Sequence, residues 1–152
     1  MPYVLLIHMI VAVTLIGAIT HQTLSVVAPV KKYPQSFFAR FRAVNGANYV
    51  NAIIVLFVTA NVLGWIIYPN YRIGARLEMT ELRLFAQVGT FEVKENIIAL
   101  ALATLPFYWW LWQPANAERH STTRKVVTIY LAMTVWYGFI IGHFLNNIRG
   151  IL

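Results

Sequence analysis

Four stretches of this chain are almost continuously apolar, and its polar and charged residues collect between them. The first, residues 3–28, contains no Asp, Glu, Lys or Arg. At about 1.5 Å rise per residue, a helix of that length crosses a hydrocarbon core of about 30 Å with room for tilt. The others are residues 46–68, 91–112 and 126–145. The pattern predicts an all-α fold, an integral membrane four-helix bundle with residues 1–152 as a single transmembrane domain.

The connections add detail. Residues 29–45 hold two prolines, the cations Lys31, Lys32, Arg40 and Arg42, and the aromatic residues Phe37, Phe38 and Phe41. That mixture predicts a short amphipathic turn in the headgroup region. Pro69-Asn70 is expected to close the second span. Within residues 75–88, Leu77, Leu84, Phe85 and Val88 recur at helical spacing among Arg76, Glu78, Glu81 and Arg83. This predicts a short interfacial amphipathic helix between spans two and three. Pro106 is expected to kink span three. Tyr108, Trp109, Trp110 and Trp112 at its end, like Trp65 and Tyr68 in span two, read as interfacial anchors.

Composition narrows the class. Of the 152 residues 59% are hydrophobic and 11% charged, against about 25% charged in a soluble domain. No cysteine is present, which excludes disulfides, thiolate metal sites and iron–sulfur clusters. The net charge of +7 does not indicate nucleic-acid binding, because the cations sit at the ends of apolar spans. Seven cations (Lys31, Lys32, Arg40, Arg42, Arg119, Arg124 and Lys125) fall in the two connections 29–45 and 113–125. The positive-inside rule then puts both termini outside, in a bacterial-type inner membrane. The first segment is too long for a signal-peptide core and lacks a basic leader, so it is expected to be retained.

Candidate chemistry rests on histidines inside these spans, where a polar group faces protein, water or a cofactor. His8 lies in span one, and His143 near the end of span four. The expected topology places both at similar depth in the outer half. Lys94 and Glu95 open span three on that side. Two histidines on neighbouring helices suit axial ligation of a b-type haem, with Lys94 or Arg72 near its propionates. An outer copper site of His8, His143 and Glu95 is a variant, and neutral, hydrogen-bonded histidines are the plain alternative. His21, 13 residues after His8, points about 220° around the helix. It lies on a small, polar stripe with Thr14, Gly17, Ala18 and Ser25, of the kind that packs helix on helix. It is either a second cofactor residue, paired with His120, or a packed histidine bonded to Asn48, Asn51 or a helix backbone. Gly138 and Gly142 form a GxxxG pair, a further close-packing pattern.

The segments LLIHMIVAVTLIGA and FEVKENIIALAL resemble small four-helix membrane proteins that include HemJ-type protoporphyrinogen oxidases and CopD-like copper-resistance domains. The resemblance implies a haem-binding bundle in which His8 and Lys94 are functional. No Ser-His-Asp order, glycine-rich phosphate loop or HExxH motif is present, so the sequence assigns no reaction. Two functions follow as expectations. One is a b-haem protein passing electrons, with quinone as a partner. The other is a non-catalytic subunit of a larger respiratory or photosynthetic membrane complex, or of a homo-oligomer. A small transporter is disfavoured, since no span carries an ionisable residue at its centre apart from histidine.

Overall fold

The computed structural model describes residues 2–29 and 36–149, with side chains as far as Leu145; Lys31 and Lys32 lie outside the described residues. The described residues are helical apart from short connections. Helix α1 spans Pro2–Val27, and α2 spans Phe37–Arg42. A 3-10 turn at Gly46–Tyr49 leads into α3, Val50–Ile73, and α4 follows at Ala75–Glu81. Helix α5 spans Phe85–Leu111, α6 Pro114–Ala117 and α7 Ser121–Arg149.

Among the described residues three helical runs are long and apolar enough to cross a membrane: Pro2–Val27, Gly46–Glu81 and Ser121–Leu145. Helix α5, expected as the third span, is not among them. Lys94, Glu95 and Asn96 dilute one end, and Pro106, Tyr108 and the tryptophans dilute the other.

The short amphipathic element of the first connection forms as α2. The Ser36 side chain accepts from the Ala39 N–H at 3.2 Å and caps it, while Phe37 and Phe38 stay exposed. Two expectations need correction. Pro69 does not close the second span, because α3 runs through it to Ile73; a proline inside a long apolar helix is tolerated where neighbouring groups resatisfy the freed carbonyl. The amphipathic stretch 75–88 is not one helix. It breaks after Glu81, where Arg83 takes a left-handed φ of 57°, and Phe85 to Val88 become the first turn of α5. Pro106 also lies inside a helix that continues past it.

Helix α1 packs along both α3 and α7, and α5 packs along α7, whereas α3 and α5 meet over a shorter stretch. The buried cluster includes Leu15 and Ile19 of α1, Ile53 and Phe57 of α3, Ala101 and Tyr108 of α5, and Leu131 and Val135 of α7. Every one of these positions lies toward the end of the helices marked by Gln22. Toward the opposite end, marked by His8, the cluster stops at Leu15, Phe57, Ala101 and Val135. Apart from Met79 of α4, no described side chain beyond those limits is fully buried.

Candidate functional site at the His8 end

His8 shares a face of α1 with Leu15, Ile19 and Gln22, at seven-, four- and three-residue spacing; those three are the buried residues of that helix. It therefore continues the core-facing row past the point where the packed core ends. The ring lies against α3. The Ala60 carbonyl reaches it, and a Cβ built on Gly64 would stand 3.8 Å from His8 Cε1. Among the described residues His8 Nδ1 is buried with no hydrogen-bond partner.

Aromatic rings connect α3 to α5 beside it. Tyr71 stacks on Phe91 with centroids 3.8 Å apart, and the Tyr71 hydroxyl is a second buried polar atom without a partner. Lys94 Nζ lies 4.0 Å from the centre of the Phe91 ring and 2.9 Å from Glu95 Oε1. The Lys94 side chain is only 12% exposed, and both Lys94 and Glu95 are within electrostatic range of His8. Arg76 and Glu92 pair at 2.7 Å on the rim. The cations Lys94 and Arg76 are thus already matched by carboxylates.

His143 occupies an exposed position near the end of α7, with its ring parallel to Phe139 at 6.3 Å. Among the described residues no three His, Cys, Asp or Glu side chains assemble into a metal-binding group. Glu95, the third residue of the copper variant, pairs with Lys94.

The remaining histidine candidates sit at the Gln22 end. His21 Nδ1 donates to the Phe41 carbonyl at 3.1 Å, and its ring packs 3.6 Å from that of Phe41 and 6.1 Å from that of Tyr49. Its partner is thus a helix backbone and neither Asn48 nor Asn51, both of which are exposed. His120 packs on Trp110 at 5.2 Å.

The polar centre of the Gln22 end was not legible in the sequence. Gln22 and Tyr108 are fully buried. The Tyr108 hydroxyl donates to Gln22 Oε1 at 2.7 Å, and Gln22 Nε2 donates to the Gly46 carbonyl at 3.0 Å. Trp112 is 7% exposed and donates from Nε1 to Thr128 Oγ1 at 3.2 Å. Tyr108 and Trp112 are therefore core residues, which corrects their reading as interfacial anchors; Trp109 and Trp110 face outward. Their four-residue spacing, continuous with Ala101 and Leu105, is the signal that separates the inner pair from the outer pair. No protein-family model, curated protein or solved structure matches the chain.

Proposed function

We propose that α1, α3, α5 and α7 cross a bilayer together as a four-helix bundle, and that its His8 end binds a b-type haem through His8 and His143. The protein is then a membrane electron carrier, with a quinone as its exchange partner. The observation that carries this reading is the buried, unpartnered Nδ1 of His8, on the core-facing row where the packed core has ended. A buried imidazole nitrogen without a partner is costly, and ligation removes that cost.

Helix register supports His143 as the second ligand. Gly138 of α7 sits against Ile98 of α5, where its Cβ would meet Ile98 Cδ1 at 3.0 Å. Counting outward along the two antiparallel helices brings His143 near the level of Lys94. Lys94 itself is within electrostatic range of His8. A fourth span is supported by the pairing of Lys94 with Glu95, which lowers the cost of bringing the start of α5 to the membrane surface. Bound haem supplies a one-electron couple. The chain's own contribution is to fix the ring of His8 against Ala60 and Gly64 and to hold a cation, Lys94, within electrostatic range of it. The seven cations of residues 29–45 and 113–125 orient the bundle with both termini outside, in a bacterial-type inner membrane.

A reduced-minus-oxidised absorption spectrum of the protein expressed with haem supplied and purified in mild detergent tests the reading. A b-type band is expected, lost in His8→Ala and in His143→Ala and kept in His21→Ala. A protein with no band, or a band that survives both substitutions, would overturn it.

A second reading, membership of a larger membrane assembly, is favoured by one feature. The part of the small stripe formed by Thr14 and Gly17 faces nothing among the described residues: Thr14 is exposed, and a Cβ on Gly17 would meet no atom within 4 Å. Such a strip accepts a partner helix. Extraction in mild detergent followed by native electrophoresis separates the two cases, since an assembly subunit migrates with partners or as a homo-oligomer.

A further inference from the structure

We propose that the Gln22 end carries a binding site for a phosphate-type oxyanion, held by Arg42 and Arg124. Among the described residues each of these arginines has an Nε buried without a hydrogen-bond partner. Arginine does not discard its proton to relieve such a state, so an acceptor oxygen is needed.

The backbone segments that carry them are joined through one set of contacts. Arg42 ends α2, inside a segment pinned on both sides: His21 donates to the Phe41 carbonyl and Gln22 to the Gly46 carbonyl. Gly46 lies directly against the Trp112 ring, 2.7 Å from Cη2 to a Cβ built at that position. The other partner of Trp112 is Arg124, whose guanidinium sits 4.8 Å from the ring centre. Trp112 also donates to Thr128 Oγ1, which in turn donates to the Arg124 carbonyl at 2.7 Å. These contacts exist before any ligand arrives.

Charge balance selects an anion. Among the described residues the connections at this end carry the cations Arg40, Arg42, Arg119, Arg124 and Lys125 and one acid, Glu118. Among the described residues both ion pairs, Arg76–Glu92 and Lys94–Glu95, lie at the opposite end. A planar guanidinium presents paired donors that match phosphate oxygens. A phospholipid headgroup and free phosphate share this chemistry. The inference is independent of the haem reading.

The test uses the full chain, delipidated in a neutral detergent, with thermal unfolding followed by tryptophan fluorescence. Micelles are titrated with phosphatidylglycerol, with phosphatidylcholine, or with inorganic phosphate at matched ionic strength. The midpoint of the wild-type protein is expected to rise and saturate with an oxyanion. Saturation by phosphatidylglycerol alone identifies a lipid headgroup, and saturation by inorganic phosphate identifies a free anion; either supports the site. Arg42→Gln and Arg124→Gln are expected to weaken the apparent affinity by about tenfold or more. Arg124→Lys keeps the charge without the fork and is expected to fall between. Lys125→Gln, at an exposed neighbour, is expected to stay within about twofold. A wild-type midpoint that responds to neither anion, or a response unchanged in both Arg→Gln variants, would overturn the proposal.

Discussion

Gly46 and Gly17 are expected to respond to the same substitution with opposite sign. A Cβ at Gly46 would lie 2.7 Å from Ser25 Oγ, 2.7 Å from Trp112 Cη2 and 3.1 Å from Trp112 Cζ3. Carbon atoms rest about 3.5–4.0 Å apart, so the neighbours must retreat by close to an ångström. Neither is free to do so. Ser25 Oγ donates to the Gln22 carbonyl at 2.7 Å, and Trp112 is tethered to Thr128. Moving the backbone instead pulls the Gly46 carbonyl off Gln22, which also serves Tyr108. Overpacking of this kind costs about 1–3 kcal/mol, and the threatened hydrogen bonds place Gly46→Ala at roughly 2–3 kcal/mol. Gly17 is mid-helix with open space around it, so Gly17→Ala removes backbone entropy from the unfolded chain and stabilises by about 0.5–1 kcal/mol. Reversible unfolding in mixed micelles, titrated with a denaturing detergent, measures both. Adding Ser25→Ala to Gly46→Ala removes one of the two obstructing side chains, and the pair should depart from additivity by more than about 0.5 kcal/mol. A Gly46→Ala protein as stable as the wild type, or a shift of the same sign for both glycines, would refute the packing argument.

Three further outcomes are expected in the same unfolding assay. Tyr108→Phe leaves Gln22 Oε1 buried and unpaired and costs about 1–3 kcal/mol, whereas Trp109→Phe, at the outward neighbour, costs less than about 0.5 kcal/mol; equal losses would contradict the inward placement of Tyr108. Arg83→Gly relieves a left-handed residue and raises stability by up to about 1 kcal/mol, and a clear loss there would count against the break between α4 and α5. Glu92→Ala removes the rim pair with Arg76, whose side chains are 36% and 55% exposed; the loss stays below about 1 kcal/mol and fades as salt is added.

The long helices and α2 were legible because each rests on a local pattern: an apolar run, or cations and phenylalanines mixed in a short proline-bounded connection. Pro69 misled because the rule that proline ends a helix assumes water as the competitor for the freed carbonyl, and an apolar environment favours continuing the helix. The break at Arg83 was hidden because alternation of charged and apolar residues records which face is polar, not where the backbone reverses its φ. Gln22 stood out in the sequence only as a polar residue in an apolar run. Its meaning depends on Tyr108, 86 positions away, and no local pattern carries a pairing of that separation. The spacing of the His8 row lies in the sequence, but the end of the packed core at Leu15 does not, since burial there depends on what the other helices place opposite it.

The grip of His21 and Gln22 on the segment between α2 and α3 falls on carbonyl oxygens, at Phe41 and Gly46. Every amino acid supplies a carbonyl, so the two hydrogen bonds themselves read no side chain, and only the tight packing around Gly46 restricts identity there. The hold is strict about spacing, because adjacent residues of α1 measure out the distance between the two oxygens. Substitutions between the gripped positions, at Ala43 and Val44, should therefore be absorbed far more readily than a single inserted or deleted residue, which would unfasten one carbonyl or the other.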